Sequence, residues 1–232
     1  MSITNDLNKY TPRKEQTDAL NFIKKVYEEK KDNKYFLMNL PTGSGKSLLA
    51  IMIANWYMTK VNPSSKVDIV TPGKILQDQY DDTFESISNL KGKENYECKQ
   101  YACSCAQGIE FNKLNKTECT ICPYSAARGG YIGGNISLTN FHLYLIYALY
   151  APDMLDQRGS KLLIVDECHL IDSVMSDFIS VKITESSVKR LRLPEEDRIL
   201  SDLKSIKNIK EYIDFLVDLN TCLLYTSDAA DE

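Results

Sequence analysis

No stretch of the 232-residue chain is both long and apolar enough to span a bilayer. The longest apolar run, Phe141 to Ala151, is interrupted by His142 and falls short of the roughly 20 residues a crossing needs. The N-terminus, Met1 to Tyr10, is polar and has no apolar core of the kind a secretory signal carries. A surplus of positive charge is missing as well: the formal net charge is −4, so no global basic field points to nucleic acid, and any such binding has to be local. Internal repeats and low-complexity segments are absent too. What is present is 43% hydrophobic and 26% charged residues, an ordinary soluble globular composition, at a length that holds one α/β domain with an appendage but is short for two. A cytoplasmic, monomeric protein is expected, and in a reducing compartment seven cysteines serve as metal ligands or free thiols rather than disulfides.

The chain's organising stretch is Leu40-Pro41-Thr42-Gly43-Ser44-Gly45-Lys46-Ser47. The run 34–39 before it reads as a strand, and Leu48 to Tyr57 after it reads as a buried helix whose Trp56 belongs to the core. Strand, Gly-rich loop and helix in that order predict a P-loop (Walker A), although the first position of the pattern is Leu40 rather than Gly. Gly43 and Gly45 let backbone N–H groups close around phosphate oxygens. Lys46 would reach the β- and γ-phosphates of ATP, and the Ser47 hydroxyl would ligate Mg²⁺. Residues Thr42, Gly43, Ser44, Gly45, Lys46 and Ser47 are therefore the expected nucleotide contacts. A bare Gly-rich turn is the competing reading of the loop alone.

A second run, Lys161-Leu162-Leu163-Ile164-Val165, has the pattern of a strand buried on both faces and ends in the DEAH-like box Asp166-Glu167-Cys168-His169. Carboxylates at the tip of a strand beside a P-loop suit the metal and the attacking water: Asp166 would hold Mg²⁺, and Glu167 would orient and deprotonate the water. His169 couples the site to a neighbouring domain or is a surface histidine; it is grouped here with the nucleotide-binding residues.

Along the chain, Thr11 and Pro12 are expected to cap and open a helix carrying Ala19, Leu20, Ile23, Val26 and Tyr27 on one face. Val67 to Val70 reads as a strand, followed by Thr71-Pro72-Gly73 and a helix with Leu76, Gln79, Tyr80 and Phe84. Residues 91–134 are set apart as a cysteine-rich insert, because hydrophobic periodicity fades and five cysteines fall between Cys98 and Cys122. The pattern resumes with a strand at Asn135 to Thr139, a helix from Phe141, a polar loop from Asp153 to Ser160 and the acidic strand. Further on, Ser186 to Leu193 and Glu195 to Leu219 read as helices, the second with Ile199, Leu203, Ile206, Ile209, Ile213 and Leu216 on one face. Cys222 to Glu232 looks like the in-frame translation of a sequencing-library adapter, so the native part of this sequence is expected to stop near Thr221, with the gene continuing further. Its three acids account for the change in net charge from −4 to −1 when it is set aside. Alternating strands and helices predict an α/β fold with a mainly parallel sheet between helices.

With both motifs placed, the chain resembles the amino-terminal motor domain of superfamily 2 DNA helicases of the XPD/DinG type, over about residues 10–221. Arg13 and Gln16 match the positions that read adenine. Thr71-Pro72-Gly73-Lys74 through Gln77 and Gln79 is similar to the motif that touches the DNA backbone, and Thr139-Asn140-Phe141-His142 to the family's Asn-Tyr/Phe-His segment. Cys122-Pro123-Tyr124 matches the end of its cysteine cluster. Cys168 departs from the family's usual Ala in the acidic box. The resemblance implies a RecA-like ATP-binding domain over 1–90 and 135–172, the cysteine insert over 91–134, the start of a helical arch-type insert over 173–221 and a non-native tail over 222–232.

The cysteines are spaced Cys98-x4-Cys103-x-Cys105-x13-Cys119-x2-Cys122. Taken as Cys98, Cys103, Cys119 and Cys122, with Cys105 as an alternate for Cys103, the spacing approaches a two-knuckle Zn²⁺ site, whereas the resemblance implies a 4Fe-4S cluster on four thiolates. Unliganded thiols are the plainer alternative. Lys91, Lys93 and Lys99 could meet phosphates or simply solvate a surface, and Tyr96, Tyr101 and Tyr124 could stack on bases or pack the lobe.

The activity so implied is that of an ATP-dependent DNA helicase on single-stranded or forked DNA, with 5′→3′ polarity taken from the resemblance. A second motor domain outside this sequence would complete the ATP site. The alternatives are an ATP-driven duplex translocase without unwinding and a nucleotide-gated nucleic-acid-binding or redox module.

Overall fold

A computed structural model describes residues 3–30, 35–115, 121–180, 186, 188–189 and 196–228. The chain divides into two compact units, Met1–Phe178 and Ile179–Glu232. No helix among the described residues is long and apolar enough to cross a membrane.

In the first unit, strands β1 (Lys66–Thr71), β2 (Ile87–Asn89), β3 (Ile136–Asn140) and β4 (Ser160–Val165) form a parallel sheet in the order β2-β3-β1-β4. The central strands β1 and β3 run in register from Val67 opposite Ile136 to Thr71 opposite Asn140, and apart from Lys66 every residue of the two is buried. On the other side of β1, Val70 lies opposite Val165. The carboxyl ends of three strands therefore bring Thr71, Asn140 and Asp166 to one edge of the sheet, the edge at which open parallel sheets bind their ligands.

Nine helices of this unit are described: α1 (Ile3–Asn8), α2 (Lys14–Glu29), α3 (Lys46–Trp56), α4 (Lys74–Thr83), α5 (Cys105–Asn115), α6 (Pro123–Gly133), α7 (Phe141–Tyr150), α8 (Pro152–Arg158) and α9 (Ile171–Ile179). Ala50, Ile51 and Ala54 of α3 pack against Val67, Ile69, Ile136 and Leu138 of the sheet and against Tyr80 and Phe84. On its other side, α3 offers Leu49 and Ile53 to Leu20 and Ile23 of α2. The last two are the centre of the stripe read from the sequence, and each contributes about 1.5–3 kcal/mol by burial. Trp56 is half-buried and meets Tyr27 edge-on at 5.6 Å between ring centroids.

Several local expectations need correction. α2 begins at Lys14, and its N-cap is Arg13 rather than Thr11, because the Arg13 N–H is bonded to Gln16 Oε1 at 2.8 Å and Arg13 stays extended. The strand expected before the P-loop joins no sheet. Residues 35–40 run outside the ladder, with Met38 and Leu40 turned to the α2–α3 core while Tyr35 and Leu37 are 90% and 84% exposed. Lys34 lies outside the described residues. The polar stretch after Asp153 is helical: Pro152 opens α8, and Gly159, at φ 63°, closes it in the left-handed conformation that glycine adopts freely.

α8 also supplies a partner for a carboxylate inside the sheet. Asp68 on β1 is buried and ion-paired with Arg158, whose remaining donors reach the carbonyls of Val67 and Gly134, both at 2.8 Å, and that of Tyr131. A buried charge is tolerated only when paired and hydrogen-bonded in this way.

The cysteine-rich stretch is less separate from the domain than fading periodicity implied. Cys98, Cys105, Tyr124 and Tyr131 share a core with Leu90, with Leu143 and Tyr147 of α7, and with Met154 of α8.

The second unit has its own core of Val188, Ile199, Leu200, Phe215 and Leu219. The expected continuous helix from Glu195 to Leu219 is two helices, α10 (Glu196–Ser205) and α11 (Ile209–Asp228). The break is set by Asn208, whose Oδ1 accepts from the N–H groups of Lys210 and Glu211, while Glu211 Oε2 accepts from Lys207 N at 2.7 Å: a reciprocal cap. The break resets the helical phase, so Ile209 and Ile213 are 77% and 53% exposed instead of joining Ile199 in the core. Most of the helix expected at Ser186 to Leu193, and residues 229–232 of the tail, lie outside the described residues.

Candidate active site

The loop between residue 40 and α3 turns on two left-handed glycines, Gly43 at φ 79° and Gly45 at φ 77°. Gly45 is the N-cap of α3, so the first-turn N–H groups of that helix are left without helical partners and face an incoming anion. Gly45 is also closely approached, because a Cβ there would sit 2.2 Å from Gln16 Nε2. Gln16 is buried and donates to the carbonyls of Ser44 at 2.9 Å and Gly45 at 3.0 Å; Arg13 Nη1 donates to the Gly43 carbonyl at 2.6 Å. In this structure both residues brace the loop backbone. Thr42 is exposed at the outer end of the loop, and the Ser44 hydroxyl is buried without a partner among the described residues.

Against this loop stands the tip of β4. Lys46 Nζ lies 2.9 Å from Glu167 Oε1, and the other oxygen of Glu167 is 3.3 Å from Nδ1 of the exposed His169. Glu167 itself has φ 52° and ψ 43°, an uncommon conformation for a non-glycine residue and one that concentrates at functional sites. Asp166 is buried; its Oδ1 accepts from the Glu167 N–H at 2.9 Å and its Oδ2 from the Tyr80 hydroxyl at 2.9 Å. Burial above all, then the charge of Asp166, pushes the Tyr80 hydroxyl well above the ordinary phenol range, with the Ser47 hydroxyl acting in the opposite direction. Tyr80 is therefore a neutral donor to Asp166. The structure thus brings Lys46, Ser47, Asp166 and Glu167 together from two distant segments. A loop of exposed amides, a lysine, a hydroxyl and two carboxylates form a donor set that fits a nucleoside triphosphate with Mg²⁺.

The segment expected to touch nucleic acid divides. Lys74 and Gln79 are exposed, whereas Gln77 is fully buried and cannot reach a ligand at the surface. Its amide donates to Asn89 Oδ1 at 2.6 Å and to the Leu90 carbonyl at 2.7 Å, and its oxygen accepts from Asn140 Nδ2 at 3.2 Å. Asn140 in turn caps α7 through Leu143 N at 3.0 Å. His142, next along the Asn140-Phe141-His142 segment, is exposed and meets Phe178 edge-on, with ring centroids 5.2 Å apart.

In the cysteine-rich lobe, Cys98 and Cys105 are buried, and Cys103 and Cys122 are partly so; all four are free thiols. Burial, and next the neighbouring Cys98, pushes the Cys103 thiol up. Burial also pushes the Cys105 thiol up; the Tyr124 backbone opposes this, and the Cys122 thiol bonded to Cys105 adds to it. Cys98 acts on both Cys103 and Cys105, so the thiols lie near one another in the lobe. Four such sulfurs fit a soft metal or an iron–sulfur cluster chemically, yet among the described residues no group of three or more His, Cys, Asp or Glu side chains is arranged to hold a metal ion. Cys119 lies outside the described residues. The lobe tyrosines are packing residues here: the Tyr124 and Tyr147 hydroxyls bond at 2.8 Å, Tyr96 meets Tyr124 edge-on, and Tyr101 meets Phe111. Lys91 pairs with Asp78, and Lys93 lies over the Tyr124 ring at 5.6 Å.

Two residues with clear parts in this arrangement escaped the reading of the sequence. Tyr80 read only as one residue of a helix with Leu76, Gln79 and Phe84, and Arg158 only as part of the polar loop 153–160. Only the Pro152 and Gly159 helix signals flanking Arg158 could have placed it on an ordered element.

Comparison with known proteins agrees with the site. No curated protein matches the chain. The family model described as type III restriction enzyme, res subunit, matches residues 9–218, a span that includes the P-loop, the acidic tip of β4 and the cysteine-rich lobe. The chain belongs to this family of ATP-hydrolysing, helicase-type nucleic-acid motor domains.

Proposed function

We propose that the chain is the nucleotide-binding half of an ATP-dependent DNA motor that separates strands, of the XPD/DinG type. The observation that carries the reading is the meeting of Lys46, Ser47, Asp166 and Glu167 at the N-terminus of α3. Lys46 and the loop amides would bind the β- and γ-phosphates, and Arg13 and Gln16, beside the loop, would read the adenine edge. Ser47 and Asp166 would hold Mg²⁺, which supplies charge neutralisation on the phosphate oxygens. Glu167 would orient the attacking water and take its proton, and His169, through its contact with Glu167, would link that carboxylate to whatever domain packs above it. The transferred phosphoryl group also needs a cation from the far side, which a second motor domain would bring. Lys74 and Gln79 at the start of α4 are the groups available to a DNA backbone.

The cysteine-rich lobe would be stapled by a metal, with Cys98, Cys103, Cys119 and Cys122 as ligands and Cys105 as the alternate for Cys103. A 4Fe-4S cluster is favoured by the likeness to XPD/DinG-type proteins, and Zn²⁺ is the alternative. The lobe is the part that would divide a duplex.

A second reading, an ATP-driven translocase on duplex DNA without unwinding, draws on the restriction-enzyme family match. Anaerobic purification followed by metal analysis and visible spectroscopy separates the two. About four irons with a broad absorption near 400 nm would support the strand-separating assignment, whereas a metal-free protein that still binds Mg-ATP would leave the translocase reading in place.

A further inference from the structure

The apolar side of α4 carries one hydroxyl that packing alone does not explain. Tyr80 is 1% exposed, sits among Ile51, Ile69, Phe84 and Leu138, and would fill the same volume as a phenylalanine. A hydroxyl buried among such groups is unfavourable unless bonded. Here it donates to Asp166 Oδ2 at 2.9 Å. The second carboxylate oxygen of Asp166 is taken by the Glu167 N–H at 2.9 Å, so both oxygens have a fixed direction. One turn earlier on the same face, Gln77 ties α4 to Asn89, Leu90 and Asn140. The position of the Tyr80 hydroxyl is therefore set by a helix held at two points, and that helix starts directly after the Thr71–Gly73 turn.

We propose that Tyr80 is a positioning residue of the metal site: its hydroxyl fixes the direction of the Asp166 carboxylate and links it to α4. The inference rests on the ATP-and-Mg²⁺ reading above. It acts through Asp166, the carboxylate that would take the metal. Without a metal it gives Asp166 a fixed partner, so that the carboxylate does not turn away, and with a metal present the same bond would keep it aimed. Preorganisation of this kind shows in metal affinity rather than in the grip on the triphosphate.

The test is binding of a fluorescent ATP analogue (mant-ATP) to the whole chain, first in EDTA and then with rising Mg²⁺. In Tyr80→Phe, binding in EDTA should stay within about twofold of the parent, while the Mg²⁺ concentration for half-maximal enhancement should rise roughly tenfold, as expected on losing a hydrogen bond to a charged group. Phe84→Leu, a packing change in the same core, should leave that midpoint in place. An unchanged midpoint in Tyr80→Phe overturns the proposal. Equal loss of binding with and without Mg²⁺ also overturns it, since the tyrosine would then serve packing alone. A parent chain that binds no nucleotide under either condition overturns the ATP-site reading itself, and this inference with it.

Discussion

Lys46 and Glu167 form an ion pair of 2.9 Å across the mouth of the nucleotide site. The group suited to grip phosphate and the group suited to activate water thus neutralise each other, each about 30% exposed (28% and 31%). On the proposed reading, a triphosphate would replace Glu167 as the partner of Lys46, and that exchange would free the carboxylate.

Glu167→Gln removes the competing charge while keeping the shape. A partly exposed pair contributes about 0.2–1 kcal/mol, so nucleotide should bind the variant up to roughly fivefold more tightly in a mant-ATP titration. Phosphate release should fall by at least about 10²-fold, because the base is gone. Weaker binding in the variant would show that the carboxylate does not compete for Lys46.

The two loop glycines are not equivalent. Both have positive φ, where an added Cβ costs about 1–2 kcal/mol, but at Gly43 the Cβ would meet nothing within 4 Å, while at Gly45 it would run into the Gln16 amide at 2.2 Å. Gly45→Ala should therefore abolish nucleotide binding under conditions where Gly43→Ala only weakens it, and pairing it with Gln16→Ala should recover part of the loss. Calorimetric titration of the three variants checks the order.

Arg158 and Asp68 are 0% and 3% exposed at their side chains, and the guanidinium also serves carbonyls on β1 and at the end of α6. Removing one partner strands a buried charge, so Arg158→Met should lower stability by about 3–5 kcal/mol in denaturant unfolding. Adding Asp68→Leu should restore much of it. Nucleotide affinity should move little in molecules that remain folded, since neither residue touches the site.

Asp6 anchors α1 to the segment before β2. Burial acts to raise its carboxyl, but the Ser86 hydroxyl, the backbone N–H groups of Ser86 and Glu85 and the charge of Lys9 together leave it below the ordinary value of 3.8. A depressed folded-state pKa contributes stability that is present above the unfolded value and is lost as pH falls through the folded one. Asp6→Asn should thus cost about 1–3 kcal/mol near pH 7, with the gap to the parent closing below about pH 3.8, as thermal melts across pH would record.

The elements that carry chemistry were legible because their local requirements are strict. Positive φ favours glycine at positions 43 and 45, the run of β4 is apolar and ends in β-branched residues, and the acidic pair stands where that run stops. The expected burial of β4 on both faces fails, because it is an edge strand of the described sheet, with Lys161 and Leu163 exposed. The misplaced boundaries have equally local causes. Gln16 occupied the Arg13 N–H and moved the start of α2, and Asn208 with Glu211 broke a helix whose apolar stripe looked continuous. The run 34–39 has strand-like composition, but composition names no partner, and residues 35–40 lie outside the ladder.

Residue order along the chain was enough to pick out a P-loop pattern, an acidic strand tip and a run of cysteines, since each depends on spacings of a few residues. Which distant groups complete them depended on folding. Tyr80 reaches Asp166 across 86 positions and Arg158 reaches Asp68 across 90, and Gln77 turns inward to meet Asn140 instead of outward to a ligand. No periodicity records such pairings. They arise when a parallel sheet stacks the ends of its strands along one edge and its covering helices exclude water there, so that every polar group left inside must find a partner from whichever segment the packing has brought alongside.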